Sequence, residues 1–132
     1  LAEMARRYPE REALVAAGWG LSYAALQAEV RRCASAMRAA GMMHGDRVGI
    51  LMGNRPEWLI GYFAAMSLGA VVVGLNTWAT ARELAYQLGH AGVRLLLLEP
   101  AFKGRDFFAL VAEARLAGDG LSDLVRLVVV AV

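Results

Sequence analysis

The chain has 132 residues, enough for one domain with a sizeable core. It is 58% hydrophobic and 20% charged, which excludes a disordered segment. The net charge of +2 gives no sign of the one-sided basic surface of a nucleic-acid binder, and the single Cys33 excludes an internal disulfide framework and a Cys-based zinc site.

In chain order, residues 1–8 read as a short helical lead-in stopped by Pro9. Residues 13–17 and 21–23 are extended pieces around Gly18-Trp19-Gly20, a hairpin by its turn residues. Ser22 then caps a long helix over 23–40. Its apolar residues Leu26, Val30, Cys33 and Met37 fall at spacings of four, three and four, one helical face. Gly41 closes that helix, His44-Gly45-Asp46 makes a turn, and residues 47–52 form a strand.

No charge falls between Trp58 and Ala81, a 24-residue stretch that approaches the ~20 apolar residues of a membrane span. Its punctuation favours another reading. Asn54 can cap, Pro56 suits a first turn, and Glu57 can complete a capping box, so a helix begins here and runs to Leu68. Gly69 ends it, and the β-branched run Val71-Val72-Val73 reads as a buried strand stopped by Gly74 and Asn76. The stretch is therefore helix, turn and strand, not a span. Glu3, Arg6 and Arg7 also interrupt the N-terminus where a signal peptide would need an apolar core.

Thr80-Ala81-Arg82-Glu83 is a second capping box, opening a helix to Ala91 with Leu84 and Leu88 inward and Gly92 at its end. A strand over 94–98 with four consecutive leucines is closed by Pro100. A helix over 106–117 carries Phe107, Leu110, Val111 and Ala114 on one face. A loop over 118–122 and a last strand over 125–132 follow. Short, continuous apolar strands between helices predict an α/β fold, a mostly parallel sheet flanked by helices with a short N-terminal hairpin.

The loops after such strands are where ligands bind in open α/β sheets: Gly53-Asn54, Asn76-Thr77 and Glu99-Pro100. None has the Gly-rich run with lysine of a phosphate loop, since the only lysine is Lys103. Gly18-Trp19-Gly20 lacks the third glycine of a dinucleotide fingerprint. Cys33 reads as a buried structural thiol, Asp46 as a turn residue, and His44 and His90 as lacking partners at metal-ligand spacing. Arg6, Arg7 and Arg11, and Arg31, Arg32 and Arg38, read as solvated faces; Trp19, Trp58 and Trp78 read as packing residues. No catalytic, cofactor-binding or metal residue is expected in the chain.

The order of these elements and their wording resembles a known family. Tyr8-Pro9-Glu10-Arg11-Glu12-Ala13-Leu14-Val15, Leu21-Ser22-Tyr23-Ala24-Ala25-Leu26, Gly45-Asp46-Arg47-Val48, Asn54-Arg55-Pro56-Glu57-Trp58, Leu68-Gly69-Ala70-Val71, Leu75-Asn76 and Thr80-Ala81-Arg82-Glu83-Leu84-Ala85-Tyr86 stand in the order and approximate spacing of AMP-forming acyl-CoA synthetases and related adenylate-forming ligases. The likeness runs from about Tyr8 to the C-terminus. Ala25 stands where the family often has an acid and Gly74 where it often has proline. Asn76 replaces the acid common in peptide-synthetase adenylation domains, which points to the acyl-CoA ligase branch.

The resemblance implies a Rossmann-like N-terminal subdomain over 1–132, the first part of a longer ligase, and a start at Leu1 with a stop inside a β-branched run reads as a chain cut at both ends. The implied parent enzyme uses ATP and Mg to make an acyl-adenylate from a carboxylate, then passes the acyl group to coenzyme A. It also implies ties to fatty acid metabolism and a cytoplasmic location. The family's phosphate loop, acidic motifs and C-terminal lysine are not matched here, so the isolated chain is expected to be inactive and to hold none of these cofactors. Its expected partners are the remainder of the ligase and, through exposed apolar surface, a second copy, with no nucleic acid and no membrane span. The alternative is a stand-alone small doubly wound module that binds a nucleotide or a protein. Thirteen arginines to one lysine suggest a GC-rich bacterial genome.

Overall fold

The run of leucines near residue 95 forms the middle of a parallel sheet because a strand covered on both faces can be apolar at every position. The computed structural model describes residues 1–16, 18–117, 121, 124 and 126–129. Its sheet contains β3 (Arg47–Leu51), β4 (Val71–Gly74), β5 (Val93–Leu98) and β8 (Arg126–Val129) in the order β4-β3-β5-β8, every pairing parallel. The predicted α/β class is the observed one. No helix among the described residues is long and apolar enough to cross a membrane.

Helices cover both faces. On one, α2 (Tyr23–Ala39) and α3 (Pro56–Ser67) bury Leu26, Val30, Met37 and Ala64 against Val48, Ile50, Leu95 and Leu97. On the other, α4 (Ala81–Ala91) and α5 (Phe107–Ala117) bury Leu84, Leu88, Phe107 and Val111 against Leu51, Val93, Leu96 and Leu98. Strict alternation would put Val93 on the face of Leu95. The β3–β5 register instead shifts between Arg47 and Val48, which pair with Val93 and Leu95. Arg94 is the extra residue, and its guanidinium reaches the Asp46 carboxylate at 2.9 and 3.0 Å.

Local signals acted where they were strongest. Ser22 accepts from the Ala25 N–H at 3.2 Å at the start of α2. Thr80 and Glu83 form both bonds of the capping box, and Gly92 ends α4 in the left-handed conformation at φ 62°. The expected hairpin is present as β1 (Glu12–Ala16) and β2 (Trp19–Ser22), antiparallel, behind the six-residue α1 (Ala2–Arg7).

Four readings change. Trp19 and Gly20 belong to strand β2 rather than to the turn. Asn54 does not cap α3: the N-cap is Arg55, no side chain caps it, and Glu57 is held by the Arg55 guanidinium. The Val71–Gly74 strand is not buried. It pairs only with β3 among the described residues and leaves Val71 52% exposed, because an edge strand has one neighbour and partial cover. An unforeseen second hairpin, β6 (Ala101–Phe102) with β7 (Arg105–Asp106), follows β5. Ala17, residues 118–120, 122, 123 and 125, and residues 130–132 lie outside the described residues, and with them the expected strand end at 17, most of the expected loop and the ends of the last strand.

Candidate functional site

Parallel strands send their following loops from one edge of the sheet, so the loops after β3, β4 and β5 meet there. Glu99, the residue after β5, is 7% exposed, and a buried carboxylate needs hydrogen-bond partners. Its Oε1 accepts the Gly53 N–H, and its Oε2 receives Arg55 Nη1 at 3.2 Å. Arg55 turns its remaining nitrogens on Glu57 as a fork, at 2.8 and 2.9 Å. That hydrogen bonding lowers the Glu57 pKa despite partial burial, and the same pair raises the Arg55 pKa. One buried acid therefore ties two loops together.

The loop after β3 is drawn close to the second hairpin. The Phe102 ring lies on Gly53, where a Cβ would stand 2.2 Å from Cε2 of the ring, so only glycine fits without moving it. Beside this contact lies an open groove of ≈ 640 Å³ between the loops after β3 and β4 and the hairpin. Asn54, Asn76, Trp78, Phe102 and Lys103 are among its walls. Trp78 meets Phe102 edge-on at 6.5 Å, and Lys103 Nζ stands 5.4 Å from the Phe102 ring centre and 5.9 Å from that of Trp78. The Lys103 ammonium thus stands over both rings and sets a positive charge against the aromatic wall of the groove.

The three loops named from sequence are therefore brought together at one edge of the sheet. The other single residues mostly take the roles expected of them. Cys33 is half-buried, its thiol pKa raised by desolvation against the opposing charge of Arg32. Asp46 is a turn carboxylate that accepts the Met43 N–H at 2.9 Å. Partial desolvation opposes its ionisation, but that hydrogen bond and Arg94 outweigh it and lower the pKa. His44 packs against Gly69, and His90 stacks on Tyr86 at 5.3 Å. The six named arginines of the two basic groups are exposed. Trp58 packs, stacked on Tyr62, but Trp19 and Trp78 are 43% and 60% exposed, which corrects their reading as packing residues. Among the described residues no group of three His, Cys, Asp or Glu could hold a metal.

Sequence reasoning named the Glu99-Pro100 loop and Lys103 as the only lysine, but passed over Phe102 and Arg105 and the contacts that join the four. Two signals could have marked them. An acid ends an otherwise apolar strand, and Lys103-Gly104 forms a two-residue hairpin turn with both φ angles positive, 48° and 79°.

Comparison with known proteins bears on what this edge serves. A family model described as AMP-binding enzyme matches residues 1–129. The chain is 41% identical over 98 residues to the acyl-CoA ligase sidI of Aspergillus fumigatus, covering 71% of this chain and 16% of that protein. It is 35% identical over 99 residues to a 3-hydroxybenzoate–CoA ligase of an Aromatoleum strain, covering 75% and 19%. The chain thus spans less than a fifth of the length of either relative. Among solved structures, the inhibitor-bound N-terminal domain of FACL13 from Mycobacterium tuberculosis superposes with a TM-score of 0.87 at 26% identity, covering 98% of this chain and 32% of that one.

Proposed function

The chain belongs to the AMP-binding enzymes, and from that premise we propose that it is the N-terminal scaffold of a longer AMP-forming acyl-CoA ligase. Such a ligase joins a carboxylate oxygen to the α-phosphorus of ATP, releasing pyrophosphate. The coenzyme A thiol then attacks the acyl carbon, and AMP departs as the carbon–oxygen bond breaks. The observation that carries this reading is the family match along nearly the whole chain, supported by relatives that are CoA ligases.

The residues present do not fit Mg or the triphosphate. Glu57 and Glu99 are engaged with Arg55, and among the described residues no cluster of three His, Cys, Asp or Glu could gather a cation. We place those functions, and all bond-making groups, in the remainder of the ligase, so the 132 residues alone are inactive. The edge groove does suit part of a substrate. We assign it the nucleotide end of coenzyme A, a phosphorylated purine, with Lys103 facing phosphate and Trp78 presenting its ring.

The test of the class is direct. The longer protein, given ATP, Mg and coenzyme A, should release AMP and form a thioester with some member of a panel of fatty and hydroxybenzoic acids. No acid-dependent AMP release and no thioester with any panel member would overturn the reading. A cytoplasmic, bacterial setting belongs to the same proposal, since both co-substrates are held inside cells. Exposed apolar side chains, among them Val15, Met43, Met66 and Val71 at 67, 67, 50 and 52%, support self-association of the separate chain. Light scattering at high concentration should give a mass above that of the monomer, and a clean monomer would count against it.

A further inference from the structure

Exposed tryptophans are usually free to reorient, yet the backbone on both sides of Trp78 is tied down. Asn76 Oδ1 accepts the Trp78 N–H at 2.9 Å. From the second hairpin, Arg105 donates Nη1 to the Thr77 carbonyl and Nη2 to the Ala79 carbonyl, the latter at 2.6 Å. The two carbonyls belong to the residues immediately before and after Trp78, so one guanidinium brackets it. The same guanidinium stands 5.9 Å from the Trp78 ring centre.

The hairpin that delivers this contact is built under constraint. Lys103 sits at φ 48°, a left-handed conformation costly for a residue with a side chain. The resulting tight turn pairs Phe102 with Arg105 across the ladder. Phe102 then meets the Trp78 edge while Arg105 grips its backbone. Arg105 is half-buried and both its terminal nitrogens are engaged, whereas the tryptophan it brackets remains 60% exposed. A planar fork can bind two carbonyls at once, a geometry a single ammonium does not reproduce.

We propose that Arg105 is a positioning residue. It fixes the attitude of the Trp78 ring as a wall of the groove and governs ligand affinity through that ring without touching the ligand. This rests on the assignment of the groove as a ligand site, and the experiment separates the two.

The longer ligase is labelled with 5-fluorotryptophan, and the Trp78 fluorine resonance is assigned by its loss in Trp78→Phe. Arg105→Ala should move that resonance toward the position of free fluorotryptophan. The resonance of Trp58, which is stacked on Tyr62 in the opposite core, should stay in place. Arg105→Lys should fall between wild type and alanine. In steady-state assays Arg105→Ala and Trp78→Ala should each raise the KM for coenzyme A about fivefold, the weight of one such ring contact.

An unmoved Trp78 resonance in both Arg105 variants overturns the clamp. So does movement of the Trp58 resonance in both, which would make Arg105 a general support of the fold. A moved Trp78 resonance with the KM raised by Trp78→Ala but not by Arg105→Ala also overturns the proposal, since position would then not matter. An unchanged KM in Trp78→Ala removes the groove assignment, and with it the effect on affinity, while the fluorine response reports on the clamp separately.

Discussion

Shortening Phe107 to alanine is expected to lower the unfolding free energy by about 3–5 kcal/mol. Phe107 opens α5, has no exposed surface and is the largest of the fully buried side chains. It packs in the core shared by α4, α5 and the sheet face that carries Leu96 and Leu98, and its N–H donates to the Pro100 carbonyl at 3.0 Å. Removing the ring leaves a cavity between layers that the strands cannot close without breaking their parallel register. Against a typical domain stability of about 5–15 kcal/mol, this is a large fraction of the whole. The neighbouring Phe108 is 44% exposed, and its truncation should cost under about 1 kcal/mol. Urea unfolding followed by circular dichroism measures both. Equal losses for the two variants would contradict the placement of the core.

The second large effect is electrostatic. Arg55→Ala removes the cation that Glu99 and Glu57 share and leaves Glu99 buried with the Gly53 N–H alone. Stranding one member of a buried ion pair costs about 3–5 kcal/mol, and the side chains here are 16% and 9% exposed, so little solvent screening relieves it. The pH dependence follows from Glu57, whose folded pKa is lowered first by its hydrogen bond with Arg55. A carboxylate with a lowered folded pKa adds stability fully above its unfolded pKa and loses it as pH falls through the folded one. Wild type should therefore weaken on acidification, and the gap to Arg55→Ala should narrow, because the variant has no such contribution to lose. Arg55→Met combined with Glu99→Gln should recover part of the neutral-pH loss. Denaturant midpoints at neutral and acid pH test this, and a gap that widens on acidification would contradict it.

Much of the fold was legible because its determinants are local. The Thr80–Glu83 box and Gly92 fix both ends of α4 within a dozen residues, and the spacing of Leu26, Val30 and Met37 predicts the buried face of α2. What escaped reading depends on partners far along the chain. Asn54 is a good cap by type, yet Arg55 takes that position because carboxylates on both sides draw its side chain. The three valines of β4 look buried by composition, and only the sheet order makes that strand an edge.

The candidate site is the extreme case. Its three loops were identifiable as strand ends, but the tie from Arg105 to residues 77 and 79 crosses from a hairpin with little sequence signal. The Phe102 ring on Gly53 is likewise a tertiary contact. Glycine there looked like an ordinary turn residue.

The central claim is that these residues build a scaffold whose chemistry is supplied by the rest of a ligase. It is tested most directly by carboxylate-dependent exchange of labelled pyrophosphate into ATP, using the 132-residue chain by itself, folded by circular dichroism, beside the longer protein. The account predicts exchange by the longer protein and none above background by the chain. Exchange catalysed by the chain alone would contradict it.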